Sequence, residues 1–272
     1  MSRGAFRKFI FTLCFIVFCV SGWMLLKILV IDRVQNNRSV DKVRQIYYDV
    51  NDDPLKGLRD LSLQYPDMKG WITVPDTKID YPVMVSSDDK DPQYYLNHDY
   101  KGGDTRYGAI FADKRCQDLP NTKSIVLYGH HMLDESMFSS VVNFTKLDYY
   151  KARPVFTFNF LQEEASWKVF SVFRTNTLKI HGPVFNYIRA EFNDSEDFMS
   201  FIKEIQDRSL ICTTVDVNEN DQIVLLSTCS YEFENFRTVL VARKVRKDEN
   251  KTVDVDNARI NPNPILPQCY NS

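Results

Sequence analysis

Residues 9–26 run almost without a polar side chain, and after Lys27 the run continues through Ile28, Leu29, Val30 and Ile31. About 20 apolar residues in a helix cover the hydrocarbon core of a bilayer, so this segment constrains the chain more than any other. Arg3, Arg7 and Lys8 stand just before it, and basic residues favour the cytoplasmic side. The expectation is a short cytoplasmic N-terminus at 1–8 and a single-pass anchor in the cell membrane at 9–31, with all that follows outside the cell. A cleaved signal peptide is the alternative. The run is long for one, and no small-x-small site follows it cleanly.

The remainder has the texture of a globular protein, with enough apolar material for a core. A net charge of -2 supplies no basic field, so nucleic acid is not an expected partner. Only 9 glycines occur, and neither a Walker loop nor a dinucleotide fingerprint is present. Cys14 and Cys19 lie inside the apolar run, leaving Cys116, Cys212, Cys229 and Cys269. No CxxC pair, zinc-spaced Cys/His cluster or calcium-spaced acidic set occurs, so neither metal nor cofactor is expected. An exported location permits disulfides, but their pairing is not legible.

Residues 32–66 carry apolar positions at helical intervals (Val40, Val43, Ile46, Tyr47, then Leu55, Leu58, Leu61) and predict a helical stalk broken near Asn51-Asp52-Asp53-Pro54. From residue 67 to 246 the texture is β-like. Eight short segments rich in Val, Ile, Phe and Tyr fall at 71–74, 79–85, 108–112, 124–128, 155–160, 167–175, 222–228 and 238–245, which suggests a barrel or sandwich. Two helices are expected among them. One covers 135–144; the other covers 195–208, with Phe198, Phe201, Ile202 and Ile205 on one face and Asp194 as N-cap. Residues 247–272 form a polar tail expected to wrap the surface or stay disordered.

Cys229 follows the apolar run Ile223 to Leu226, so a strand end delivers its thiol to a rim. A nucleophilic cysteine needs a nearby cation or base, and Arg237 opens the next strand eight residues on. On pattern alone the commoner fate of a cysteine is a buried, inert thiol. His130 ends another apolar strand after Gly129, where an imidazole suits acid/base work. His131 would point the other way in an extended chain. His98 and His181 read as surface or hydrogen-bonding histidines.

Four ordered segments lift this set. They are Gly70-Trp71-Ile72-Thr73-Val74-Pro75-Asp76-Thr77 with Ile79-Asp80-Tyr81-Pro82-Val83; Tyr94-Tyr95-Leu96-Asn97-His98 with Gly108-Ala109-Ile110-Phe111-Ala112-Asp113; Tyr128-Gly129-His130-His131-Met132; and Leu226-Ser227-Thr228-Cys229 with Arg237. Together they resemble the sortase family, class B. The resemblance implies a mostly β fold: a closed eight-stranded barrel with an N-terminal helical segment and two peripheral helices, preceded by one transmembrane helix. It implies Cys229 as nucleophile, His130 as acid/base and Arg237, rather than Arg243, as the oxyanion cation. Leu96, Asn97, Tyr187 and Ser227 would bind substrate. The implied activity cleaves a sorting signal resembling Asn-Pro-x-Thr-Asn through a thioester. Surface proteins bearing that signal would be the partners, with a peptidoglycan precursor or cross-bridge amine as acceptor.

Two other functions fit the same residues: a pilin polymerase that joins subunits through lysine, and a non-catalytic, membrane-anchored extracellular binding module. In the tail, Asn261-Pro262-Asn263-Pro264 resembles the start of such a signal and raises the prospect of occlusion in cis, although the threonine is missing.

Overall fold

The computed structural model describes residues 3–49, 53–230 and 236–268, the side chains of Arg3, Phe6, Pro54, Cys229 and Ser230 excepted. The chain divides into two compact units, residues 1–45 and 46–272. In the first, α1 (Arg3–Leu26) runs through a π-turn at Lys27–Ile31 into α2 (Asp32–Tyr48). At 1.5 Å per residue, α1 alone is about 36 Å long, enough for a bilayer core of about 30 Å. It is one helix long and apolar enough to cross a membrane, and none of its most apolar stretch is buried.

In the second unit α3 (Pro54–Gln64) starts where sequence chemistry predicts. Asp53 accepts a bond from the Lys56 amide, and Pro54 occupies the first turn. Of the break, residues 51 and 52 lie outside the described residues.

Eight strands then close a barrel in the order β1-β2-β3-β4-β8-β9-β6-β5. They are β1 (Met68–Thr73), β2 (Asp80–Met84), β3 (Ile110–Ala112), β4 (Ser124–Tyr128), β5 (Val155–Phe160), β6 (Ser166–Asn176), β8 (Ile223–Ser230) and β9 (Phe236–Lys244). All eight expected segments are present. Neighbours pair antiparallel, except β2 with β3 and β4 with β8, which are parallel. Closure removes the exposed edges an open sheet would leave.

The central strands are buried on both faces. α5 (Ser195–Arg208) lays Phe198, Phe201, Ile202 and Ile205 against Val126, Ile223, Leu225, Val239 and Val241. The alternate residues Val224, Leu226, Leu240 and Ala242 are fully buried too, on the opposite face of the sheet. Asp194 caps α5 by accepting from the Asp197 amide at 2.8 Å.

The helix expected at 135–144 is shorter. Glu135 and Met137 have φ of 63° and 56°, a left-handed backbone no α-helix accommodates. Helical turns begin only at Ser139, as a 3-10 segment Ser139–Thr145 followed by α4 (Leu147–Ala152).

Two strands carry too little pattern to be expected. β7 (Ile211–Cys212) pairs antiparallel with β10 (Arg259–Ile260), which lies in the polar tail. The tail therefore wraps the surface as far as the described residues reach. Its Asn261 amide donates to the Leu210 carbonyl at 2.9 Å, and its side chain donates to the Ser209 carbonyl at 2.7 Å. The Asn261-Pro262 stretch is thus held beside the C-terminal end of α5. Among the described residues Cys116 and Cys212 carry free thiols, and Cys269 lies outside them.

Candidate active site

Three adjacent strands, β4, β8 and β9, carry His130, Cys229 and Arg237 to one end of the barrel. β4 runs parallel to β8 with Tyr128 beside Ser227, and the Gly129 amide donates to the Ser227 carbonyl at 3.2 Å. His130 therefore leaves β4 alongside the stretch of β8 that holds Cys229. β8 then pairs antiparallel with β9, and Cys229 falls opposite Arg237. The tip between them, residues 231–235, lies outside the described residues.

Gly129 is dictated by close approach. A Cβ there would fall 2.5 Å from Ile110 Cδ1 and 2.6 Å from Phe138 Cγ, nearer than carbon atoms pack. Beyond it the chain folds back on itself: the Phe138 amide donates to the His130 carbonyl at 2.9 Å, and His131 bridges Met137. The Met137 amide is held by the Tyr81 hydroxyl at 3.2 Å. His130 thus sits at the mouth of a braced loop.

Its imidazole Nε2 lies 2.7 Å from the Leu96 carbonyl oxygen. A carbonyl only accepts, so Nε2 carries hydrogen in this arrangement and Nδ1 becomes the nitrogen able to exchange a proton. Leu96, expected to meet substrate, thus offers its backbone to His130. Asn97 beside it is exposed, its carbonyl bonded to the Thr105 amide at 2.8 Å. Sequence reasoning had no route to the Leu96 carbonyl, because every residue has one and only tertiary packing selects it.

Tyr187 and Ser227 are both buried, and their hydroxyls meet at 2.9 Å. Tyr187 belongs to the apolar cluster under α5. The pair links the stretch after β6 to β8, two residues before Cys229.

The two arginines of β9 have opposite situations. Arg237 is half-buried and donates from Nη1 to the Phe236 carbonyl at 3.0 Å. Arg243 lies at the far end of the ladder, opposite Ile223. Its side chain is 1% exposed, with both terminal nitrogens on Glu249 at 2.6 and 2.7 Å and Nε on the Asp216 carbonyl at 2.7 Å. Its bonding is committed to the fold.

The other histidines stand apart. His98 stacks on Tyr94 at 3.9 Å, with its nitrogens on the Tyr94 carbonyl and Asp104. His181 packs its ring 5.3 Å from that of Phe236, and its buried Nδ1 has no hydrogen-bond partner among the described residues. Its place beside the residue preceding Arg237 was not legible in loop-like sequence. Cys116 is buried, and burial pushes its thiol up to about 11. Among the described residues no group of His, Cys, Asp and Glu is arranged to hold a metal ion.

The chain matches known proteins over most of its length. The Sortase domain family matches residues 72–245. Sortase B of Listeria monocytogenes is 33% identical over 239 residues, spanning 85% of this chain and 93% of that protein. The Staphylococcus aureus sortase B–substrate complex superposes with a TM-score of 0.71 at 28% identity, covering 79% of this chain and 99% of that one. Bacillus anthracis sortase B in complex with AAEK1 gives 0.69 at 31% identity, covering 80% and 100%. The chain belongs to the sortase family of transpeptidases, and its relatives there are of class B. Family membership replaces the binding-module alternative.

Proposed function

We propose that this chain is a membrane-anchored cysteine transpeptidase. It cleaves a sorting signal resembling Asn-Pro-x-Thr-Asn after threonine and transfers the new carboxyl end to a cell-wall amine. The observation that carries the reading is the register of Cys229 opposite Arg237, on the strand beside the one that ends in His130.

The Cys229 thiolate attacks the threonine carbonyl carbon, and the carbonyl electrons move onto oxygen. Arg237 donates hydrogen bonds to that oxyanion, and a preorganised donor of this kind is worth about 3–4 kcal/mol. As the tetrahedral centre collapses, the peptide C–N bond breaks and protonated His130 gives its Nδ1 proton to the departing amine. A thioester remains. An incoming amine attacks it, neutral His130 takes the proton, and the Cys229 thiolate leaves. Leu96 holds Nε2 throughout, so the ring presents the same nitrogen in both half-reactions. Leu96, Asn97, Tyr187 and Ser227 line the peptide's path in this reading. The solved complex of a Staphylococcus aureus relative with its substrate supports a signal-bearing peptide as partner.

Residues 9–31 serve as the anchor, with 1–8 cytoplasmic and the catalytic domain at 67–246 outside. Tethering raises the local concentration of enzyme near substrates that leave the same membrane.

The test uses the full chain in detergent with a peptide containing Asn-Pro-Gln-Thr-Asn and no acceptor amine. Intact mass spectrometry should show an acyl adduct that is absent from Cys229→Ala. Adduct formation in that variant would remove Cys229 from the mechanism.

A further inference from the structure

Residues 246–272 lie beyond the matched domain, which ends at residue 245, yet the described part returns to the end of the barrel that carries Arg237. It is fixed at its start by Arg246, with Nε and Nη2 on Asp221 at 2.8 and 2.7 Å, and by Glu249 on Arg243. The β10–β7 pair and Asn261 fix its middle. The Ile265 amide then bonds the Asp207 carbonyl at 2.8 Å, and Gln268 arrives over Gly182.

The Gly182 backbone has φ of 104°, and a Cβ there would fall 2.8 Å from the Cβ of Gln268. Any other residue would be strained and would collide with the tail, so this glycine is shaped to receive it. The Gly182 carbonyl accepts from Asn176 Nδ2 at 3.0 Å, and the same amide donates to the Leu178 carbonyl at 2.9 Å. Asn176 is buried and pairs with Phe236 across β6 and β9. The His181 ring closes on Phe236 from the same loop. The Phe236 carbonyl in turn accepts from Arg237 Nη1.

We infer that the C-terminal segment is a strap that positions Arg237, acting through Gln268 on Gly182 and the loop that clamps Phe236. The inference rests on the oxyanion role proposed for Arg237. A guanidinium on a long side chain loses considerable rotamer freedom when it is fixed. A donor serves an oxyanion best when it is oriented before the charge develops. Bracing Phe236 fixes the carbonyl that orients this one. Gln268 touches no reacting group, so it is a positioning residue.

A chain ending at Asn261 keeps the Glu249 and Arg246 contacts, the β10 pairing and the Asn261 bonds, but lacks Gln268. Four proteins, each with the N-terminal helix, are compared in detergent: the native chain, the shortened chain, Arg237→Lys, and the combination. With the Asn-Pro-Gln-Thr-Asn peptide, shortening should lower kcat about five- to tenfold and change KM by less than about twofold. In the Arg237→Lys background the same shortening should change kcat by less than about twofold, because coupled groups are not additive. No loss in the native background, or equal losses in both, overturns the strap. Amide hydrogen exchange supplies a readout independent of turnover: 176–182 and 236–238 should exchange faster in the shortened chain, and unchanged exchange there also overturns it. A native chain that acylates with no sorting peptide overturns the proposed reaction instead, and the exchange data still decide the strap.

Discussion

Cys229 and Arg237 are direct partners across the antiparallel ladder of β8 and β9. Cα atoms of such partners lie about 4.5–5.5 Å apart, so the proposed nucleophile and the proposed oxyanion cation stand on neighbouring strands held by backbone hydrogen bonds. Arg243, on the same strand, sits at the other end of that ladder and inside an ionic cluster.

The two arginines should therefore fail differently. Arg237→Ala should lower kcat/KM for peptide cleavage about 10²- to 10³-fold with little change in Tm. Arg243→Ala should remove the buried cation that joins Asp216 to Glu249, leaving Asp216 to Arg246 and Glu249 to Lys168, and cost about 1–3 kcal/mol of stability. Paired thermal unfolding and peptide kinetics on both variants check this, and the reverse pattern would exchange their roles.

Thiol labelling should separate the cysteines. At neutral pH Cys229 should alkylate rapidly and lose that reactivity once acylated by peptide. Cys116, buried and with its thiol pushed up to about 11, should label only on unfolding. Peptide mapping after a brief iodoacetamide pulse reads both sites, and equal labelling would contradict the proposed chemistry.

Gly129→Ala tests the packing behind His130. The added methyl meets Ile110 and Phe138 at contact distances nothing can absorb without movement. Overpacking of this kind costs about 1–3 kcal/mol, and the displacement reaches His130 at the next position. The variant should fold with a lower Tm and a reduced kcat. An unchanged kcat would show that the loop tolerates the shift.

Acid should loosen the Arg243 cluster. The Arg243 guanidinium, with Lys168 and the Arg246 amide, holds the Glu249 carboxyl well below its ordinary value of 4.5. The unfolded chain therefore binds that proton first as pH falls, so the stabilisation is complete above about 4.5 and drains away toward the depressed folded value. Asp216, lowered by Arg246 and then Arg243, acts in the same direction. A Tm series from about pH 7 to about pH 3 should fall more steeply for the native chain than for Glu249→Gln, which starts lower. Parallel curves would remove Glu249 from the acid response.

The hydroxyl pair beneath the site offers a double-mutant cycle. Tyr187→Phe and Ser227→Ala each remove one end of a buried 2.9 Å bond and should cost about 1–3 kcal/mol. The double variant should cost less than their sum. A rise in peptide KM in either single variant would support their place along the substrate path.

What the sequence determined by itself is local. Eight β segments, the cap and apolar face of α5, and the bilayer-length helix follow from periodicity, capping chemistry and length, which act within a few turns of chain. The order of the Gly129-His130, Thr228-Cys229 and Arg237 motifs carried the family. Tertiary structure decided what depends on distant partners. Backbone reversal at Glu135 and Met137 shortened the expected helix. A two-residue pairing with β7 drew the polar tail onto the surface, too short to leave a pattern. Arg243 became structural because Asp216 and Glu249 converge on it from separate loops. The imidazole of His130 found the carbonyl of Leu96, 34 residues away. Backbone groups are identical at every position, so no residue type announces which of them will meet a given side chain; only the closure of the barrel selects them.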